Sequence, residues 1–350
     1  MPTTIVVGGQ YGSEGKGKVV ALLASRSESP WIVRCGGPNS GHTVTTEAGD
    51  IVLRQVPSCT EPWKATFCIA AGCVVDEAIL LRELDSLGID RERVIVDPRA
   101  VLVTDQDREA EEQQLRNIAS TCSGTGSALV RRMSRTHSVS LATDSQALTE
   151  RCRIETVAPL LHDALEDGED VIVEGTQGFG LSLLHGRDYP FVTSRDTTAA
   201  GFAMEVGLSP RFINNIVMVV RTFPIRVGGP SGPFHDEISW AEISRLSNAP
   251  EVVVEYTSVT RKLRRVALFD MEAVKVACRY NLPTSLAVMG LDRIDYANTG
   301  LTEAEQLTES AQRFLASLGK ETGIPIEFVG TGFRTQEAIS LQTGIALAGI

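Results

Sequence analysis

Lys16 and Lys18, set among glycines, mark the first place where this chain can do chemistry. The segment Ile5-Val6-Val7-Gly8-Gly9-Gln10-Tyr11-Gly12-Ser13-Glu14-Gly15-Lys16-Gly17-Lys18 is a β-branched run that stops at glycines. It then enters the helical stretch Lys18-Val19-Val20-Ala21-Leu22-Leu23. Glycines let backbone N–H groups close on phosphate oxygens, a helix N-terminus adds positive potential, and lysine supplies a mobile cation. From Gly12, the spacing Gly-x-x-x-x-Gly17-Lys18 is that of a phosphate loop. Val19, however, stands where a Ser or Thr hydroxyl would hold magnesium. The alternative is a plain glycine turn in a strand–helix unit. A second loop, Arg34-Cys35-Gly36-Gly37-Pro38-Asn39-Ser40-Gly41-His42-Thr43-Val44, follows the apolar Trp31-Ile32-Val33. His42 there can act as a general acid or stabilise charge on a moving phosphoryl group. An isolated histidine is more often a surface or core residue; its place between Gly41 and Thr43 on a phosphate-type loop favours function.

These loops need elements to hold them. Apolar runs predict strands near 4–8, 31–35, 170–174, 215–222, 284–289 and 326–329. Helical periodicity falls near 16–25, 77–87, 106–119, 155–167, 197–206, 270–280 and 302–318. The alternation predicts an α/β fold: one large domain over 1–350, a mostly parallel sheet with helices on both faces, and chemistry on loops leaving strand ends. Segment 104–120 reads as a capped, charged surface helix without a catalytic role. Trp31, Trp63 and Trp240 read as packing residues.

With 350 residues, 43% of them apolar, the chain has ample core, and no Pro/Gly/Ser linker divides it. A net charge of −11 argues against nonspecific nucleic-acid binding. The 7 cysteines form no C-x-x-C pair, which fits free thiols in a reducing cytoplasm. No signal peptide or membrane-length apolar run is evident.

Further segments carry a resemblance. GQYGSEGKGK and GPNSGHTV are similar to the paired loops of the adenylosuccinate synthetase family, which read close to GxQWGDEGKGK and GGNNAGHTV. In chain order, Val173-Glu174-Gly175-Thr176-Gln177-Gly178 resembles that family's EGAQG, and Tyr189 to Ala199 resembles YPFVTSSNTTAGG. Ile225-Arg226-Val227-Gly228-Gly229-Pro230 resembles RVGxGPF, Ser258 to Arg265 resembles TTTGRxRR, and Gly330-Thr331-Gly332 resembles STG. Cellular members carry Asp where this chain has Ser13. That Asp takes the purine N1 proton and helps bind magnesium. A serine there opens space and removes a charge, which suits a 2-amino purine. The substitution resembles the bacteriophage 2-aminoadenylosuccinate synthetases, which join aspartate to dGMP on the route to 2-aminoadenine DNA.

The resemblance implies a ligase. The γ-phosphoryl of a nucleoside triphosphate moves to the purine 6-oxygen; the amine of L-aspartate then attacks carbon 6 and phosphate leaves. The protein positions the reactants and neutralises charge. By resemblance, Gly12, Ser13, Glu14, Gly15, Lys16 and Gly17 cradle the triphosphate, with Lys16 on its β/γ oxygens, joined by Gly41, His42, Thr43, Gly330, Thr331 and Gly332. Ser13, Lys16 and His42 are the catalytic set, with His42 on the phosphoryl in flight. A hydroxyl is a poor base at neutral pH, so Ser13 relays the N1 proton through water or orients N1–H. Mg2+ falls to Ser13 and the Gly41 carbonyl. The monophosphate substrate falls to Ser13, Asn39, Ser123, Gly124, Gln177, Thr193 and Val227. Arg135, chosen over Arg131 and Arg132, reaches it across a homodimer; the alternative is a solvated basic face.

By the same resemblance, the loop Ser258, Val259, Thr260, Lys262 and Arg264 is expected to hold aspartate, with Lys262 and Arg264 standing where the family uses two arginines. The donor base falls to Asp292. The family's Lys-x-Asp has become Gly290-Leu291-Asp292, which still permits GTP but points to ATP or dATP. The rivals are an ordinary adenylosuccinate synthetase acting on IMP with GTP, a P-loop-type kinase or NTPase switch, and a non-catalytic nucleotide-binding module.

Overall fold

The computed structural model describes residues 3–46, 49–136, 139–257 and 261–341. Ten strands form the central sheet. In chain order they are β1 (Thr3–Gly8), β2 (Trp31–Arg34), β3 (Thr66–Ile69), β4 (Val94–Val96), β5 (Arg153–Ile154), β6 (Val171–Glu174), β7 (Ile213–Arg221), β8 (Ser285–Met289), β9 (Ile326–Gly330) and β10 (Ala338–Ser340). Their spatial order is β10-β9-β8-β7-β1-β6-β2-β3-β4-β5. Every neighbouring pair is parallel except β9–β10. Central strands of such a sheet are covered on both faces and so read as continuous apolar runs. Ile5, Val6 and Val7 are accordingly fully buried, with Val6 opposite Glu174 on one side and Val217 on the other. Parallel strands put their C-terminal ends on one edge. The loops after β1, β2, β6, β8 and β9 therefore converge there, the place where such sheets bind ligands.

The α/β sheet expected from the alternation is what the chain forms. The four strands of this sheet that periodicity missed (β3, β4, β5 and β10) are only 2 to 4 residues long. Two helices missed near the site are Thr125–Met133, which begins after Gly124, and Trp240–Leu246. The last long helix is Glu309–Thr322, later than 302–318, because the Thr308 side chain caps it and 304–306 is a separate turn. A small antiparallel sheet of 225–226, 265–267 and 237–238 packs Ile225 and Val266 on Trp240 and Ile243, which sets Arg226, Arg264 and Arg265 beside the main sheet's loops.

Two readings need correction. Trp63 is 63% exposed on a surface loop rather than packed. Helix Asp105–Gln114 has the expected cap, with Thr104 and Asp107 bonded reciprocally, but it is not simply a solvated element. Asp107 and Glu111 are buried, because Asp107 grips Arg131 at 2.7 Å and Glu111 accepts the backbone N–H groups of Gly124 and Gly126. The seven cysteines are free. No helix among the described residues is long and apolar enough to cross a membrane.

Candidate active site

The loop after β1 is built around a buried carboxylate. Glu14 Oε1 accepts the Gln10 N–H at 3.0 Å and the Gly12 N–H at 2.7 Å, while Oε2 pairs with Lys16 Nζ at 2.7 Å. Lys16 also donates to the Gly12 carbonyl at 3.1 Å and is 2% exposed. Glu14, expected at the triphosphate, is therefore spent inside the loop. Lys16 is folded back onto Gly12 and Glu14. Glycine is needed at Gly178, where a Cβ would meet Glu14 Oε1 at 2.3 Å, and at Gly15, which has φ 103°. Ser13 is half-buried; its carbonyl accepts from Arg221 at 3.1 Å, and its hydroxyl has no partner among the described residues.

His42 opens the hairpin His42–Thr46/Gly49–Leu53 rather than lying in a loop, and pairing with Leu53 fixes it. Its Nδ1 touches the Glu174 carboxylate at the end of β6, and Arg34 at the end of β2 pairs with the same Glu174 oxygen at 3.0 Å. Ser58 gives Glu174 its backbone N–H and its hydroxyl, each at 2.7 Å. A carboxylate against Nδ1 requires the proton there. Arg34, 2.7 Å from Nδ1, is then bonded to Glu174 rather than to the ring. The buried Nε2 has no partner among the described residues and carries a lone pair.

Burial, with Arg34 beside it, pushes the imidazole down to about 4, against the opposite pull of Glu174. Burial would raise Glu174, but Arg34, His42 and the hydrogen bonds from His42 and Ser58 outweigh it and hold the carboxyl at about 2. An unfolded histidine titrates near 6.5, so between pH 6.5 and 4 the unfolded chain binds the extra proton. The contribution of neutral His42 is complete above that window and is lost as pH falls through it. The urea midpoint is expected to drop from pH 7 towards 4.5, and His42→Ala should flatten that slope. Equal slopes in both proteins would show that His42 does not titrate in this way.

Next to these loops lies a pocket lined by Asn39, Thr125, Gln177, Thr193, Arg226 and Val227, among others. The structure thus brings together Asn39, Gln177, Thr193 and Val227 from four separate loops. Close contacts lock the loops to one another: a Cβ at Gly37 would meet Thr125 at 2.7 Å, and Ser40 bonds Thr176 at 2.6 Å. Gln177 adopts φ 59°, a left-handed conformation that costs energy outside glycine and recurs at functional sites. Ser123 is buried and bonded to Thr121 and Thr125, beside the pocket rather than in its wall. The Gly124 N–H is occupied by Glu111 at 2.8 Å. Arg135 is exposed beyond the end of helix Thr125–Met133.

A second cluster gathers at the ends of β8 and β9. Met289 packs on Gly15 and Gly330, and Lys18 Nζ reaches the carbonyls of Gly332 at 3.1 Å and Glu337 at 2.5 Å. Burial pulls Lys18 down to about 8, against Glu337 and Asp292. Asp292 is 9% exposed and its carboxyl is raised by burial. Gly290 has φ 85°, and a Cβ there would lie 2.9 Å from the Thr222 hydroxyl. Thr331 is fully buried, its hydroxyl on the Leu301 carbonyl at 2.7 Å. Thr43 and Gly41 sit half-buried beside His42.

Of the aspartate loop, Ser258, Val259 and Thr260 lie outside the described residues. Lys262 is exposed, Arg264 pairs with Glu255 at 3.4 Å, and Arg261, at the glycine of the family pattern, adopts φ 53°. Sequence reasoning assigned no role to Glu174, Arg34 or Arg221, and read Lys18 as a phosphate-loop cation rather than as the partner of the Gly332 and Glu337 carbonyls. Glu174 and Lys18 stood inside quoted motifs, but their partners lie on distant strands.

A magnesium ion prefers hard oxygens. Among the described residues no cluster of three or more His, Cys, Asp or Glu forms a metal cage. The Ser13 hydroxyl and Gly41 carbonyl are neutral oxygens, a donor set that fits an ion taking most of its ligands from phosphate and water.

Comparison with known proteins gives the family. Residues 5–153 and 140–299 match the family described as adenylosuccinate synthetase. The adenylosuccinate synthetase of Methanocaldococcus jannaschii is 38% identical over 345 residues, 97% of this chain and 96% of that one. The chain belongs to the adenylosuccinate synthetase family. It is a carbon–nitrogen ligase of that type, made for small-molecule nucleotide substrates. The Thermococcus onnurineus adenylosuccinate synthetase is 37% identical, covering 97% of this chain and 98% of its own. The fully ligated adenylosuccinate synthetase of Plasmodium falciparum shares the fold, with TM-score 0.86 at 19% identity over 97% of this chain and 99% of that one. The cyanophage S-2L succinoaminodeoxyadenylate synthetase, solved with dGMP and dATP as an energy donor, superposes with TM-score 0.79 at 25% identity, covering 97% and 95% of the two chains.

Proposed function

We propose that this ligase joins L-aspartate to carbon 6 of dGMP, using ATP or dATP, to give N6-succino-2-amino-2′-deoxyadenylate for 2-aminoadenine DNA. One observation carries the reading. The position that bears a carboxylate in cellular members is Ser13, and the neighbouring carboxylate cannot substitute for it. Glu14 is buried and held by two amides and Lys16. The purine edge therefore meets a small neutral hydroxyl, with room for an exocyclic amine. The likeness to the S-2L enzyme with its bound dGMP and dATP supports the same substrates. Gly290, in a left-handed conformation against Thr222, supports a donor other than GTP, because the family's lysine is gone there.

In this reading the pocket residues Asn39, Gln177, Thr193 and Val227 hold the deoxynucleotide. Incoming phosphates raise the proton affinity of His42, held at Nδ1 by Glu174, so that Nε2 can carry a proton on the phosphoryl in flight. The 6-oxygen gains the γ-phosphoryl as the β–γ phosphoanhydride breaks and the nucleoside diphosphate leaves, while the N1 proton passes Ser13 to water. The aspartate amine, its carboxylates on Lys262 and Arg264, then attacks carbon 6, and phosphate departs. Lys16 leaves Glu14 for the β/γ oxygens. Ser13 and Gly41 would hold a magnesium ion, which would supply positive charge against the triphosphate. Arg135 completes the phosphate site across a homodimer of single-domain chains in the cytoplasm of a phage-infected host.

The identity to archaeal adenylosuccinate synthetases favours a second reading, IMP with GTP. A substrate matrix decides between them: dGMP, GMP and IMP crossed with ATP, dATP and GTP, with and without aspartate, read by phosphate release and product mass. Turnover of IMP and none of dGMP would end the first reading. Phosphate release independent of aspartate would end both.

A further inference from the structure

Glu255 has no part in the reaction as derived so far, yet its carboxylate is ringed by three guanidinium groups. Arg221 holds it with two N–H groups at 2.6 and 3.2 Å. Arg264 lies at 3.4 Å and Arg293 at 3.8 Å. Each arginine belongs to a different part of the site. The Arg221 NH1 group also donates to the Ser13 carbonyl at 3.1 Å. Arg264 is the arginine of the aspartate loop, and its backbone N–H donates to the Glu255 carbonyl at 2.9 Å. Arg293 lies 3.6 Å from Asp292, at the donor-base end. Three cations face two carboxylates, Glu255 and Asp292. The Nε groups of Arg221 and Arg264 are buried and have no partner among the described residues. The cluster is one negative charge short, with free donors on the two arginines that face Ser13 and the aspartate loop.

We propose that Glu255 is a positioning residue that couples occupancy of the aspartate site to the placement of Ser13. The proposal rests on the ligase reading above. A substrate carboxylate arriving at Arg264 takes up the guanidinium that Glu255 shares. Glu255 then turns fully to Arg221, whose remaining N–H sets the Ser13 carbonyl and with it the purine edge. Aspartate binding thus prepares the loop that meets the nucleotide, and by linkage the nucleotide tightens aspartate by the same factor.

The test is calorimetric, on the full chain with Mg2+ and a non-hydrolysable ATP analogue. The dissociation constant of dGMP is measured with and without saturating succinate, which has both carboxylates of aspartate but no amine. In the parent protein succinate is expected to tighten dGMP about tenfold. In Glu255→Gln that gain should shrink to less than about twofold, with dGMP affinity in the absence of succinate within about threefold of the parent and Glu255→Asp recovering part of the gain. Removing one partner of a partly buried ion cluster can unfold a protein. Arg221→Lys, which keeps the charge but loses the fork, is the second variant and should lose the gain in the same way. A variant that folds and keeps the full gain overturns the coupling. So does a parent that releases phosphate in an aspartate-dependent reaction yet shows no gain. A parent with neither overturns the ligase reading and this proposal together.

Discussion

Ser13→Asp is expected to reverse the purine preference proposed for this ligase. The ratio of kcat/KM for dGMP to that for IMP should fall by about 10³-fold, mostly through loss of dGMP turnover. The reason is local. The Ser13 backbone is fixed by Arg221 at 3.1 Å, and Glu14 holds the flanking amides, so a new carboxylate has little freedom to turn aside. It fills the space that a 2-amino group needs, and it supplies the base and metal ligand that IMP chemistry uses. The measurement is steady-state kinetics with both nucleotides on the same preparation. A mutant with undiminished dGMP activity would remove the steric basis of the assignment.

His42→Ala should lower aspartate-dependent turnover by about 10³-fold, close to 4 kcal/mol of transition-state stabilisation, with KM for the nucleotides changed little. His42 offers one free nitrogen, Nε2, while Glu174 holds the other. In the proposed reaction the interaction it supplies exists mainly while the phosphoryl group is moving, so the loss is expected in kcat. A non-catalytic role for the loop predicts normal turnover in the mutant. A large rise in KM at normal kcat would make His42 a binding residue instead. Glu174→Gln offers a related comparison, since it leaves the contact to Nδ1 but removes the charge that balances Arg34.

Much of the fold was legible because buried parallel strands must be apolar throughout. Ile5-Val6-Val7, Val171-Ile172-Val173 and Val217 to Val220 have little other use, and all are buried. The short edge strands lack that mark. Arg153–Ile154 is two residues long and only half-buried. Helix Thr125–Met133 hid because its first turn is stabilised by Glu111, a residue on another helix, and not by its own sequence. The pocket side chains Asn39, Gln177, Thr193 and Val227 were named through the motifs that resemble the family. The carboxylates that organise the site were not. Glu14, Glu111, Glu174 and Glu255 look like ordinary charged residues until their partners are known.

By itself the order of residues pointed to the family chemistry: glycines of a phosphate-type loop, His42 next to Gly41 on a second such loop, and a hydroxyl at Ser13 where the resembling family carries a carboxylate. Those are properties of single positions and short spacings, which local backbone sterics and side-chain chemistry decide. Tertiary structure alone decided which charges are free to act. Burial makes an unpaired charge costly, so each inward carboxylate is bound to whatever cation or amide the fold sets beside it, and such partners are distant in the chain, as Glu174 is from His42 and from Arg34.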